Sequence, residues 1–184
     1  MDSGKWMRSL FGVLALGAIA GAASAQNVIK LGMVSSFSGP FAEYGQQMLN
    51  GMRAYMKING DTVAGKKIEI VQKDDGGPAP DVAKRLAQEL VTRDNVDILV
   101  GFGFTPNALA VAPIATESKK AMVIMNAATS IITTKSNEIV RVSMTLPQVT
   151  QPMATWAAKN GIKKVYTVVS DFGPGIDAEK TFTR

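Results

Sequence analysis

From Val28 onward, short β-rich runs alternate with amphipathic stretches, and this alternation restricts the fold more than any other feature of the chain. Val28–Val34, Lys67–Gln72, Asp97–Val100, Ala121–Met125, Val140–Met144 and Lys164–Val169 read as strands. Gly45–Asn59 reads as a helix with Met48, Met52, Tyr55 and Met56 on one apolar face. A second helix runs from an N-cap at Asp81 to about Arg93, with Val82, Leu86 and Leu90 as its buried stripe. Pro106–Ser118 is a third. Pro147 and Pro152 bracket a change of direction before a helix over Met153–Asn160, which Gly161 stops, and Gly173–Arg184 begins another. Consecutive strands separated by helices pair in parallel through βαβ crossovers, which predicts an α/β fold with a mainly parallel sheet flanked by helices on both faces.

The side-chain inventory narrows the chemistry. The 184 residues include no Cys and no His, while 46% are apolar and 19% charged, the balance of a folded globular chain. A disulfide, a thiolate nucleophile, a Cys/His zinc site and a Ser-His-Asp relay are all excluded. Residues 1–25 carry Lys5 and Arg8, an apolar run Leu10–Ala22, and Ala23-Ser24-Ala25, the pattern of a cleavable secretory signal peptide, with a membrane anchor as the alternative. The remaining cations are scattered singly or in pairs such as Lys66-Lys67, with no basic stripe for nucleic acid.

In an open parallel sheet, ligands bind beyond the carboxyl ends of the strands. Three loops there share hydroxyls and small residues: Ser35–Pro40 with Tyr44-Gly45, Gly101–Pro106, and Asn126–Ser130. Thr105 followed by Pro106 reads as an N-cap and N1 pair, so the helix start either favours a bound carboxylate or is simply capped. Gly101-Phe102-Gly103 lacks a third Gly because Pro106 takes its place, and no Gly-Lys-Ser/Thr follows, which argues against a nucleotide; no cofactor is expected. Asp74-Asp75 reads as a solvated turn before Gly76-Gly77.

These loops carry a family resemblance. Leu31–Gly45 (LGMVSSFSGPFAEYG), Gly51-Met52, Lys73-Asp74-Asp75, Leu109–Pro113, Asn126–Thr129 and Ser170–Gly173 together resemble the branched-chain amino-acid-binding solute receptors of ABC importers. The resemblance implies a type I periplasmic-binding fold of two α/β lobes that close on a ligand. It implies lobe one over 26–146, a first crossover near Leu146-Pro147, and in 147–184 that crossover with an incomplete start of lobe two, so that the chain reads as truncated. It also implies a periplasmic, non-catalytic receptor for an amino acid or other small carboxylate, working with a membrane permease; a sensory domain of the same fold is the alternative. Residue by residue, Thr105 matches the hydroxyl holding the ligand carboxylate, Ala127, Ala128 and Thr129 match a further contact segment, and Tyr44 matches an aromatic of the side-chain pocket. Phe172 falls where many relatives have Tyr. Some relatives carry a disulfide around the positions of Gly77 and Phe104, which this chain cannot form. Phe102 and Phe104 stand where polar or small residues are common; they serve either as core plugs or as a surface favouring an aromatic acid over leucine.

Overall fold

The computed structural model describes residues 27–184; the segment read as a signal peptide lies outside the described residues. Strands β1 (Val28–Ser35), β2 (Thr62–Val63), β3 (Lys66–Asp74), β4 (Ile98–Gly101), β5 (Met122–Ile124) and β6 (Ile139–Arg141) form one six-stranded sheet in the order β2-β3-β1-β4-β5-β6. All neighbours are parallel except the short β2, which pairs antiparallel with β3. The helices are α1 (Ala42–Asn59), α2 (Pro80–Thr92), α3 (Thr105–Ser118), α4 (Leu146–Lys159) and α5 (Gly173–Phe182).

The strand order explains the layering. From β1 the chain crosses outward to β3 through α1, then returns past β1 to β4 through α2. Right-handed crossovers running in opposite directions place their helices on opposite faces. Alternation along the strands supplies the two cores accordingly. Met33 and Val100 pack with Leu49, Met48 and Met52 on the α1 face. Val34, Leu99, Phe102, Met122 and Ile124 pack with Ala83, Ala87 and Leu90 of α2 and Ala108, Val111 and Ala115 of α3 on the other. Gly45 brings α1 down onto the loop after β1: its N–H donates to the Ser36 carbonyl at 3.0 Å, and a Cβ there would overlap that oxygen and the Phe37 ring.

Several elements depart from the sequence reading. Tyr55 points away from the apolar face of α1 and is 67% exposed. Helix α2 starts two residues early, with Ala79 at the cap, so Asp81 lies in the first turn, where its charge complements the helix dipole. Helix α4 starts at Leu146, because Thr145 and Gln148 form a reciprocal capping box: Gln148 N–H donates to Thr145 Oγ1 (3.3 Å) and Thr145 N–H to Gln148 Oε1 (2.8 Å). Pro152 therefore sits inside the helix, on its exposed side. Lys164–Val169 joins no ladder, and Tyr166 and Val168 are 96% and 97% exposed. A β-prone run becomes a strand only when a neighbour accepts its hydrogen bonds, and none is present among the described residues.

Candidate functional site

The sheet order creates a crevice. Successive crossovers run in opposite directions on either side of β1, so the loops after β1 and β4 diverge at their carboxyl ends, as they do at the switch point of other doubly wound sheets. The loop after β5 borders the same opening. All three loops singled out in the sequence meet there.

At its centre, Thr105 Oγ1 and Thr129 Oγ1 lie 2.7 Å apart, although 24 positions separate them in sequence. Both residues are buried. Phe104, not Thr105, occupies the cap position of α3, so Thr105 is the first helical residue and its hydroxyl is not consumed in capping. One hydrogen bond between two hydroxyls uses one of their two protons. The pair therefore retains a donor, beside the unpaired N–H groups of the first turn of α3 and the positive end of its dipole. That is a carboxylate-binding chemistry.

Ala127 is buried, and its N–H is committed to the Phe102 carbonyl at 3.0 Å, so it shapes the loop rather than offering a donor. Ala128 is half-buried, and its carbonyl accepts from Leu146 N–H at 2.9 Å, tying the loop to the start of α4. Gly173, at the start of α5, stands over the hydroxyl pair: a Cβ there would lie 3.1 Å from Thr105 Cγ2 and 3.4 Å from Thr129 Oγ1. Phe172 precedes it at the cap of α5 and is 40% exposed.

The two phenylalanines of the β4 loop separate in function. Phe102 is wholly buried in the core and takes a left-handed backbone conformation (φ 63°), with its N–H on the Val34 carbonyl at 2.8 Å. Phe104 faces the opening and packs against Phe41 (ring centroids 4.9 Å, edge-on) and Tyr44 (5.6 Å), while Phe41 and Tyr44 lie 6.0 Å apart. These three rings form an aromatic wall beside Gly103, which also abuts the buried Ser35 hydroxyl, itself without a hydrogen-bond partner.

Sequence reasoning missed the groups behind this surface. Asp75 is buried rather than solvated: it accepts from Ser36 Oγ (2.7 Å), Gly77 N–H (3.2 Å) and Asn107 Nδ2 (2.8 Å), pinning three elements together. Asp74, the last residue of β3, is exposed. Burial pushes its carboxyl up, but the Phe37 N–H, the Ser38 side chain and the Gly76 N–H outweigh that and hold it below the ordinary carboxylate range. Arg141, at the end of β6, donates to the carbonyls of Ala128 and Thr129. Asp177 of α5 accepts from Ser130. Neither residue belonged to a motif; a lone Arg ending an apolar strand was the available signal. A shallow groove of about 450 Å³ beside Gln148, Pro152 and Trp156 on α4 lies apart from these groups. Among the described residues no acidic cluster is arranged to hold a metal ion, and no helix is long and apolar enough to cross a membrane.

A mostly parallel sheet flanked by helices on both faces, with its loops meeting at the switch point, is the architecture of a type I periplasmic-binding fold. The chain belongs to the periplasmic binding protein family, which it matches over residues 28–184. It is 46% identical over 169 residues to the Leu/Ile/Val-binding protein homolog 6 of Brucella abortus (strain 2308), an alignment covering 92% of this chain and 43% of that one. The solute-binding protein of an ABC transporter from Rhodopseudomonas palustris BisB5, solved in complex with 3,4-dihydroxybenzoic acid, is 50% identical (TM-score 0.82, 85% of this chain and 43% of that one). A counterpart from Rhodopseudomonas palustris HaA2, in complex with p-hydroxybenzoic acid, is 48% identical (TM-score 0.83, 85% and 42%). The chain thus spans less than half the length of the relatives it matches.

Proposed function

We propose that this chain is the ligand-capturing part of the solute-binding component of an ABC importer, and that its ligand is a small aromatic carboxylate. The observation that carries the reading is the Thr105–Thr129 hydroxyl pair, 2.7 Å apart at the start of α3, beside the wall of Phe41, Tyr44 and Phe104. The hydroxyls and helix start bind the carboxylate; the rings offer a flat apolar face that suits a benzoate better than a branched aliphatic side chain. Identity of 48–50% to receptors solved with hydroxybenzoates supports that choice. The name of the Brucella relative supports the second reading, a branched-chain amino acid held at the same hydroxyls.

Residues 26–146 then act as lobe one, Leu146-Pro147 as the first crossover, and 147–184 as the entry into lobe two. Tyr44, Thr105, Ala127, Ala128, Thr129 and Phe172 surround the ligand, with Ala127 as a shaping residue. The protein works in the periplasm after removal of residues 1–25, captures its ligand without turning it over, and delivers it to a membrane permease by closing. Calorimetric titration of the full-length protein with 4-hydroxybenzoate, benzoate, leucine, isoleucine and valine tests this. Tightest binding of an aromatic acid is expected; preference for any of the three amino acids overturns the choice of ligand.

A further inference from the structure

The loop that carries Thr129 is held by two charged residues from opposite sides. Arg141 reaches it from β6 and donates to two successive carbonyls, Nη1 to Ala128 O at 3.2 Å and Nη2 to Thr129 O at 2.6 Å. Asp177 reaches it from α5 and accepts from Ser130 N–H at 2.8 Å and Ser130 Oγ at 2.9 Å. Thr129 C=O and Ser130 N–H are the two ends of one peptide group. That plane is therefore gripped at both ends, with a cation at its oxygen and an anion at its hydrogen, the sense that its own dipole favours.

Resting on the carboxylate-receptor reading, we propose that Arg141 and Asp177 are positioning residues that fix the 129–130 peptide, aim the Thr129 hydroxyl at Thr105 and latch α5 over the bound ligand. Asp177 is 47 positions beyond Ser130 and lies past the crossover, so its half of the grip exists only while α5 lies against the site. Gly173, four residues before Asp177, then stands over the hydroxyl pair. Arg141 is a partly buried cation whose Nε has no hydrogen-bond partner. Burial lowers its affinity for the proton, and the Asp177 carboxylate opposes that. Ligand at the hydroxyls and carboxylate at Ser130 favour the same closed arrangement, and the latch should show in release rather than in capture.

The test compares the full-length wild type with D177A, D177N and R141M, reading 4-hydroxybenzoate kinetics by stopped flow and hydrogen exchange in a peptide spanning 126–134. Losing a charge-assisted contact of this kind should raise koff about tenfold in D177A with kon within about twofold. D177N keeps an oxygen for Ser130 N–H and should fall between. Exchange in 126–134 should accelerate in D177A and R141M. A koff within about twofold of wild type together with unchanged exchange overturns the proposal, as does a fall in active fraction with koff unchanged. A wild type that binds neither hydroxybenzoate nor branched-chain amino acid refutes the ligand reading instead. In that case the exchange comparison alone decides the grip, and D177N decides it if D177A does not fold.

Discussion

Replacing Thr129 by Val removes one hydroxyl of the buried pair and leaves the shape nearly intact. The consequence for stability follows from the geometry. Thr105 Oγ1 has its partner at 2.7 Å and is buried, so the single substitution leaves it unsatisfied. That costs about 1–3 kcal/mol, whereas replacing both threonines by Val removes both polar groups and should be nearly neutral. Affinity follows a different course. A hydrogen bond to a carboxylate contributes about 1.5–3 kcal/mol, so T129V should weaken 4-hydroxybenzoate binding roughly 10–150-fold. The double variant regains stability yet binds no better than either single one. Thermal unfolding and titration calorimetry on wild type, both single variants and the double variant separate the two effects. A double variant that binds within twofold of wild type would refute the role of the pair, and a T129V protein as stable as wild type would refute the pairing itself.

Two glycines of α1 should respond in opposite directions to Ala. At Gly45 a methyl meets the Ser36 carbonyl and the Phe37 ring, so G45A should lower stability by about 1–3 kcal/mol; at Gly51 it meets nothing within 4 Å, so G51A should raise it by about 0.5–1 kcal/mol, both read by chemical denaturation. Phe102→Ala should cost about 3–5 kcal/mol of stability through the cavity it leaves. Phe104→Ala should instead weaken 4-hydroxybenzoate about tenfold while leaving leucine binding nearly unchanged, and equal losses for both ligands in titration would remove the aromatic wall from the site. Asp74 has a depressed pKa when folded, so its stabilisation is complete above the ordinary carboxylate value of 3.8 and is lost as pH falls through the lower folded value. Thermal midpoints of wild type and D74N should differ most above about pH 5 and converge in stronger acid.

The layers of this fold were legible because periodicity reports burial directly. The near-continuous apolar run Val28–Val34 marks a strand covered on both faces, the stripe of Leu86 and Leu90 states which side of α2 faces the core, and parallel pairing follows from the spacing. What escaped depended on partners distant in sequence. Pro152 read as a breaker, yet the reciprocal bonds of Thr145 and Gln148 nucleate α4 upstream of it, and its exposed position lets water serve the freed carbonyl. Lys164–Val169 has strand propensity but no ladder. Thr105 and Thr129 were both singled out, but only the sheet order shows that their hydroxyls meet. Asp75 reads as solvated, and Arg141 and Asp177 stand in no motif, because a charge in sequence looks the same whether it is solvated or pinned among polar groups.

Phe102 and Phe104, two positions apart, differ in their freedom to change. Phe102 sits at φ 63° with its ring fully buried, so two demands oppose each other there. Glycine would relax the backbone but empty the core, while any other large side chain would fill the core and keep the strain. Phe104 is only half-buried and touches Phe41 and Tyr44 at the opening, where an exchange alters what the rings can accept without disturbing the sheet. If the rings line the ligand as proposed, position 104 is free to retune ligand preference while position 102 is held by core and backbone together. On the proposed reading, exchanges at the opening shift preference between aliphatic and aromatic carboxylates while the scaffold stays the same.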